Sequence, residues 1–100
     1  MPSVTASLTG ANQFSSSLNI VGHFNLSISG TFSATVTVQR SFNNTDWFDV
    51  ESFTAATERY GFDPSQCYYR VGIKTGAYTS GTAVVSLIEE PESSRSILLA

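Results

Sequence analysis

The chain has little charge, and most of that charge is acidic. Only 13% of its 100 residues are charged, whereas soluble domains carry about 25%. Five basic and eight acidic residues give a net charge of −3, and Lys74 is the single lysine. Nucleic acids and anionic lipids are held by clusters of Lys and Arg. We therefore expect neither a nucleic acid nor a membrane among the partners.

Cysteine and histidine each occur once, which excludes several kinds of site. Cys67 has no second cysteine in this sequence to pair with, and one Cys with one His cannot supply the four ligands of a structural zinc site. No third group is suggested that would orient a Cys67–His23 pair for nucleophilic catalysis. Asp46, Asp49 and Glu51 stand close together but lack the spacing of a calcium-binding loop. We expect no enzymatic activity, no metal and no cofactor.

Long apolar runs are also missing. No stretch approaches the ~20 apolar residues that a membrane-spanning helix needs. The first twenty residues carry neither the basic patch nor the apolar segment of a secretory signal. We expect a soluble chain that is not exported.

The chain is rich in hydroxyl residues and poor in charged ones: it has sixteen serines and eleven threonines. Apolar residues alternate with polar ones at 24–29 and at 32–40, a period of two that is typical of half-buried strands. Gly30 and Thr31 separate these two runs, so we expect them to pair as a tight β-hairpin. Further strands are expected within residues 4–8, 14–21, 47–54, 60–62, 67–74 and 82–88.

The spacing of these segments predicts an all-β fold. Seven or eight short strands, about ten residues apart and separated by Gly, Asn, Asp or Pro, are typical of sandwiches and small barrels. We predict a single antiparallel β-sandwich, jelly-roll-like, over residues 1–88, in which residues 1–12 could serve as an N-terminal arm. The expected inward-facing residues are Phe24, Leu26, Ile28, Ala34, Val36, Val38, Phe48, Val50, Tyr69, Val71, Ile73, Val85 and Leu87.

Residues 89–100 differ in composition and form a predicted C-terminal tail. Residues 89–96 are polar and mainly acidic, and Ile97, Leu98 and Leu99 follow them as an apolar end. Chain ends are usually poorly ordered, so a frayed terminus is one interpretation. The other is an arm whose apolar tip binds a neighbouring molecule, which makes these three residues candidate capsid or partner contacts.

Part of the chain resembles a known class of proteins. The motifs are Ser29-Gly30, Val38-Gln39-Arg40-Ser41, Trp47, Tyr68-Tyr69-Arg70 and Thr79-Ser80-Gly81-Thr82. Over about residues 14–88 this pattern resembles small all-β virion proteins of tailed bacteriophages, the head decoration or cement proteins. The resemblance implies a non-catalytic structural protein on the capsid surface, assembled in the host cytoplasm. Its implied partners are the major capsid protein and further copies of itself, as a dimer or a trimer.

Two alternatives stay open. Within the same class, the protein could belong to the tail or to the head–tail connector. A carbohydrate-binding or adhesive β-sandwich module is the other, and it would use exposed aromatic rings as a stacking platform. Trp47, Tyr68 and Tyr78 are the candidate surface aromatic contacts, although aromatic residues in sandwiches more often belong to the core or to a subunit interface.

Overall fold

The computed structural model describes residues 3–89, and its regular structure is entirely β. The seven strands pair antiparallel in the order β1-β7-β3-β6-β4-β5, with β2 beside β6. The predicted all-β antiparallel class is confirmed. Within the described residues, no helix is long and apolar enough to cross a membrane. The strands are β1 (Ser3–Leu8), β2 (Gln13–Phe14), β3 (Leu18–Ser29), β4 (Phe32–Ser41), β5 (Phe48–Phe53), β6 (Thr57–Gly81) and β7 (Ala83–Glu89).

Strand β6 links the two ends of the sheet because it is 25 residues long. It pairs with β3 over residues 57–69 and with β4 over residues 68–81. Between Asp63 and Cys67 the register shifts, so that residues 64–66, which include Pro64, lie opposite the single residue Val21 of β3. Irregularities of this kind bend a strand. The sheet therefore curls at this point.

Contacts across the bend show how far the sheet curls. In the sheet, Phe24 lies opposite Gly61, yet its ring packs on Tyr69 with the ring centroids 4.8 Å apart. Gly61 leaves the space for this ring, since a Cβ there would lie 2.6 Å from Cζ of Phe24. Both parts of the curled sheet thus contribute to one core. The pairing is continuous through β6, and the jelly-roll-like sandwich stays a prediction.

The core is mainly aliphatic, as the alternation predicts. Among the predicted inward-facing residues, those on β3, β6 and β7 are buried, and so are Val36 and Val38 of β4, whereas Ala34 is half-buried. Each fully buried aliphatic side chain contributes about 1.5–3 kcal/mol. The buried hydrophobic residues are Leu8, Ile20, Phe24, Leu26, Ile28, Val36, Val38, Cys67, Tyr69, Val71, Ile73, Ala83, Val85 and Leu87.

The prediction that Phe48 and Val50 face the core is wrong. Their exposed fractions are 59% and 52%. Among residues 3–89, strand β5 pairs only with β4 and so lies at an edge of the sheet. Val38 lies opposite Glu51 while the next residue, Gln39, lies opposite Asp49, which leaves Val50 as the extra residue of a β-bulge. A bulge interrupts the alternation and twists an edge strand away from its neighbours.

The predicted tight hairpin around Gly30 and Thr31 is also wrong. Strand β3 is paired with β6 on one edge and with β7 on the other, which leaves no edge for β4. The positive φ of Gly30, 98°, lets the chain turn between these strands. At the turn, the carbonyl oxygen of Thr31 accepts a hydrogen bond from the amide of Thr82 at 2.9 Å. Residues 30–31 therefore connect two strands that do not pair with each other.

The first described residues belong to the sheet. Strand β1 lies within the segment 1–12 that was considered as an N-terminal arm, and its six residues pair without interruption with β7. Leu8 at its end is buried in the core. Residues 3–8 are therefore part of the folded body. The predicted tail contacts Ile97, Leu98 and Leu99 lie outside the described residues.

Candidate interaction surface

Large hydrophobic side chains that face solvent are concentrated around β5 and the start of β6. Phe42, Phe48, Val50, Tyr60 and Phe62 are between 52% and 78% exposed, and we call these five residues the apolar surface. Val50 lines two shallow grooves, one with Phe42 and Phe48 and the other with Tyr60 and Phe62. It therefore joins the two groups. A contiguous patch of exposed apolar side chains commonly marks an interaction site.

Arg40 supports the first group. It lies opposite Phe48 in the β4–β5 pair, and its guanidinium carbon is 4.7 Å from the centre of the Phe42 ring. Phe42 itself follows directly after the end of β4. A cation placed over an aromatic face attracts the ring. The orientation of Phe42 therefore depends on how firmly Arg40 is held.

Asp63 holds Arg40 in place. Arg40 donates from Nε to Oδ2 of Asp63 at 2.7 Å and from Nη2 to Oδ1 at 3.2 Å. The same carboxylate accepts the Tyr69 hydroxyl at 2.8 Å and the Ser65 amide at 2.9 Å. Burial acts to raise the pKa of Asp63, but the hydrogen bonds from Arg40, Ser65 and Tyr69 outweigh it and lower this pKa to about 2. Asp63 is thus ionised at neutral pH and connects β4 to the bend of β6.

The second group borders a groove of about 180 Å³ between β5 and the start of β6. Its buried lining is apolar and includes Phe24, Leu26 and Val38. At the edge of the groove, Nη2 of Arg59 donates to both carboxylate oxygens of Glu51, at 3.0 and 2.8 Å. This ion pair joins β6 to β5 and spans the groove without filling it.

Trp47, one of the predicted surface aromatic residues, is half-buried beside Arg70. The guanidinium carbon of Arg70 lies 4.3 Å from the centre of the Trp47 ring and 4.2 Å from that of Phe14. Arg70 also donates from Nε to Oε1 of Gln39 at 2.8 Å. Burial lowers the pKa of Arg70. Part of the Trp47 ring is therefore covered by a residue of its own chain.

The three predicted surface aromatic residues do not form a single platform, because Tyr78 lies far from Trp47. Tyr78 packs against the core. It lies opposite Ala34 of β4, whereas Arg70 lies opposite Gln39, five residues further along that strand. Five residues of a strand span roughly 17 Å. That distance is too great for Tyr78 and Trp47 to stack on one sugar ring. Tyr68 is half-buried and lies two residues before Arg70 on the same face of β6.

Cys67 and His23, the two residues considered for catalysis, lie in different surroundings. Cys67 is fully buried opposite Ile20, and burial raises the pKa of its thiol. His23 packs on Phe62 with ring centroids 4.7 Å apart. Within residues 3–89, no three His, Cys, Asp or Glu side chains are grouped as metal ligands would be.

Most of the apolar surface was not predicted from the sequence. Phe42 follows a strand and begins a segment of turn-forming residues, where a large aromatic ring has no core to enter. Such a position is a usable signal for exposure. Tyr60 and Phe62 gave no comparable signal, because they alternate with Gly61 as ordinary strand residues do.

No protein-family model, curated protein or solved structure matches the chain. The phage decoration class stays a prediction from the sequence motifs.

Proposed function

We propose that this chain is a non-catalytic structural protein that binds a protein partner through its apolar surface. The observation that carries the proposal is the exposure of Phe42, Phe48, Val50, Tyr60 and Phe62 in one region. Aromatic residues are enriched in the buried centres of protein interfaces. Covering such side chains releases free energy in proportion to the apolar area removed from water.

The surroundings of the apolar surface suit a protein partner. Arg40 supports Phe42 and is itself fixed by Asp63, so this ring loses little freedom on binding. Asp49 pairs with Lys74, and Glu51 pairs with Arg59. Because these exposed charges are already paired, they add no net charge beside the apolar side chains.

Self-association is proposed at the opposite end of the sheet, at the edge of β1 that pairs with no other strand in the described part of the chain. The edge strand β5 carries two acidic residues and a bulge, both of which discourage further pairing. Strand β1, Ser3–Leu8, has no charged residue, and its register with β7 is uninterrupted. A second copy can extend the sheet along this edge with main-chain hydrogen bonds.

The proposed place of the protein is the outer capsid surface of a tailed bacteriophage, where it would bind the major capsid protein. This part rests on the sequence resemblance and on the low charge, which limits repulsion between densely packed copies. Ile97, Leu98 and Leu99 stay candidate capsid contacts predicted from the sequence. The proposal does not depend on whether copies associate as dimers or trimers.

Purified particles test the proposal. Particles of the phage that carries this sequence should contain the chain, detected by mass spectrometry after density-gradient purification. Particles assembled with the double variant Phe48→Ser, Val50→Ser should contain much less of it, and Val21→Ser should have no effect. Val21 is an exposed apolar residue outside the apolar surface and serves as the matched control. Absence of the wild-type chain from particles would refute the virion location, and undiminished binding of the double variant would refute the role of the surface.

A further inference from the structure

Residues 57–62, at the start of β6, form a strand edge beside the groove. They pair with β3 on one side, and β4 joins β6 only from Tyr68 onward. Along the described chain, no strand pairs with the other side of this stretch. In an antiparallel strand, successive residues direct their N–H and C=O groups to opposite sides. About half of the residues in this stretch therefore offer main-chain donors and acceptors at this edge.

This edge has few of the features that prevent a further strand from pairing. Edge strands are commonly protected by bulges, prolines or charges of one sign. The register of residues 57–62 with β3 is uninterrupted, and the stretch contains no proline. Glu58 and Arg59 are its only charged residues, and their charges are opposite. The edge is therefore suited to the addition of a strand.

A strand added at this edge would meet apolar groups on both of its faces. On the inner face lies the groove of about 180 Å³, whose lining includes Phe24 and Leu26 of the core. On the outer face, Phe62 packs on His23, and Tyr60 is 78% exposed. Side chains alternate between the two faces of a strand. The segment that fits is therefore apolar at consecutive positions and not only at every second one.

The groove has room for one extended segment and not for the edge of another sheet. Strand β5 lines its far side through Val50, Glu51 and Phe53, and Glu51 pairs with Arg59 across it. A strand that already belongs to a sheet brings a neighbour about 4.8 Å away, and β5 occupies that place. Each strand in residues 3–89 is part of the sheet, so the strands of a second copy do not fit.

We propose that the protein partner contributes an extended segment, apolar at consecutive positions, that adds to residues 57–62 as a further strand. Six residues of a strand span roughly 20 Å, so a segment of about that length covers the edge. Main-chain hydrogen bonds would supply affinity, and the groove would select apolar side chains. The inference rests on the proposed function, because this segment belongs to the partner that covers the apolar surface.

Amide hydrogen exchange tests the proposal, measured by NMR on the full-length chain. The probe is the purified, unassembled major capsid protein at saturating concentration. About half of the amides in residues 57–62 should exchange rapidly in the free chain, and the complex should slow them by at least about tenfold. The internal control is β1, Ser3–Leu8, which also forms an edge in the described part of the sheet. Its amides should exchange at the same rates with and without the probe.

Proline variants give a second readout. Glu58 and Arg59 are neighbours, so one of their N–H groups faces β3 and the other faces the free edge. Proline is tolerated in a strand only where the N–H has no partner. Of Glu58→Pro and Arg59→Pro, the variant that keeps the wild-type unfolding midpoint should therefore bind the probe at least about tenfold more weakly. Glu58→Ala and Arg59→Ala retain the N–H groups and are the matched controls.

Other outcomes would contradict the inference. A complex in which the amides of residues 57–62 exchange as rapidly as in the free chain would overturn strand addition and leave the proposed function intact. Slower exchange at β1 instead would place the added strand on the other edge. Slower exchange at residues 57–62 in the chain alone, at rising concentration, would assign the edge to a second copy. Failure to form any complex would refute the proposed function and this inference with it.

Discussion

Arg40 and Asp63 form a two-point ion pair between strand β4 and the bend of β6, with Nε–Oδ2 and Nη2–Oδ1 distances of 2.7 and 3.2 Å. Asp63 is almost fully buried, whereas the Arg40 side chain is 30% exposed. The pair therefore joins the interior of the bend to the support of Phe42 in the apolar surface. Hydrogen bonding to Asp63 also raises the pKa of Arg40.

Asp63→Asn should destabilise the protein strongly. The substitution leaves the guanidinium of Arg40 without its charged partner and weakens the bonds to Tyr69 and Ser65. Removing one member of a buried pair costs about 3–5 kcal/mol, and the partial exposure of Arg40 reduces this to roughly 2–3 kcal/mol. Urea unfolding measures the difference. The control is Asp49→Asn, which removes an exposed pair with Lys74 and should cost under about 1 kcal/mol. Equal losses for the two variants would contradict the role of Asp63.

Asp63 should also make the stability depend on pH in acid. Its pKa is about 2 in the folded protein and about 3.9 in an unfolded chain, so the unfolded state binds the proton more readily. Stability from this group is complete above about pH 5 and is lost as the pH falls through the folded pKa of about 2. The full loss is roughly 2.6 kcal/mol. Unfolding free energies measured between pH 5 and 2 should fall less steeply for Asp63→Asn, and parallel curves would contradict the prediction.

Gly72→Ala should disrupt the pairing of β2 with β6. Gly72 lies opposite Phe14, and a Cβ there would meet the Gln13 carbonyl oxygen and approach Cα of Phe14 to 2.5 Å. Main-chain atoms cannot move aside as a flexible side chain can, so we expect a loss of about 1–3 kcal/mol. Gly10→Ala is the control, because its Cβ would find only ordinary contacts with Gln13. Thermal unfolding of both variants gives the comparison; a Gly72→Ala protein as stable as Gly10→Ala would disprove the clash.

The double variant Phe48→Ser, Val50→Ser should keep its stability and lose association with its partner. Both side chains are more than half exposed, and surface substitutions usually change stability by less than about 0.5 kcal/mol. Pull-down of the major capsid protein, with circular dichroism as a check of folding, measures the two effects separately. Val21→Ser should retain binding. A double variant that binds normally would indicate that the partner uses another surface.

Trp47→Ala distinguishes the carbohydrate-binding alternative. The variant loses the contact between the Trp47 ring and Arg70 but should remain folded, because Arg70 keeps Phe14 and Gln39. We expect no glycan binding from either protein on an array, and normal particle binding by the variant. Glycan binding that is present in the wild type and lost in the variant would favour the carbohydrate-binding module instead.

The alternation of apolar and polar residues along the sequence was sufficient to predict the class of fold and most of the core. On β3, on β7 and along residues 69–73 of β6, every second side chain is buried as expected. Alternation failed on β5, because the bulge at Val50 breaks the period. It also gave no warning that residues 63–65, which lie between two of the predicted strands, belong to one long bent strand in which the Asp63 carboxylate binds Arg40.

By itself the sequence determined that this protein is a β-structure with one aliphatic core, because side-chain direction in a strand follows from the residue's own position. Only the tertiary structure decided which strands pair, since main-chain hydrogen bonds are the same for nearly every residue type and carry little sequence information. The pairing of β6 with β3 and with β4 excluded the expected hairpin at Gly30. The edge position of β5 left Phe48 and Val50 in solvent. Which side chains remain exposed depends on where every strand packs in the sheet. The local alternation of apolar and polar residues therefore cannot specify the exposed surface.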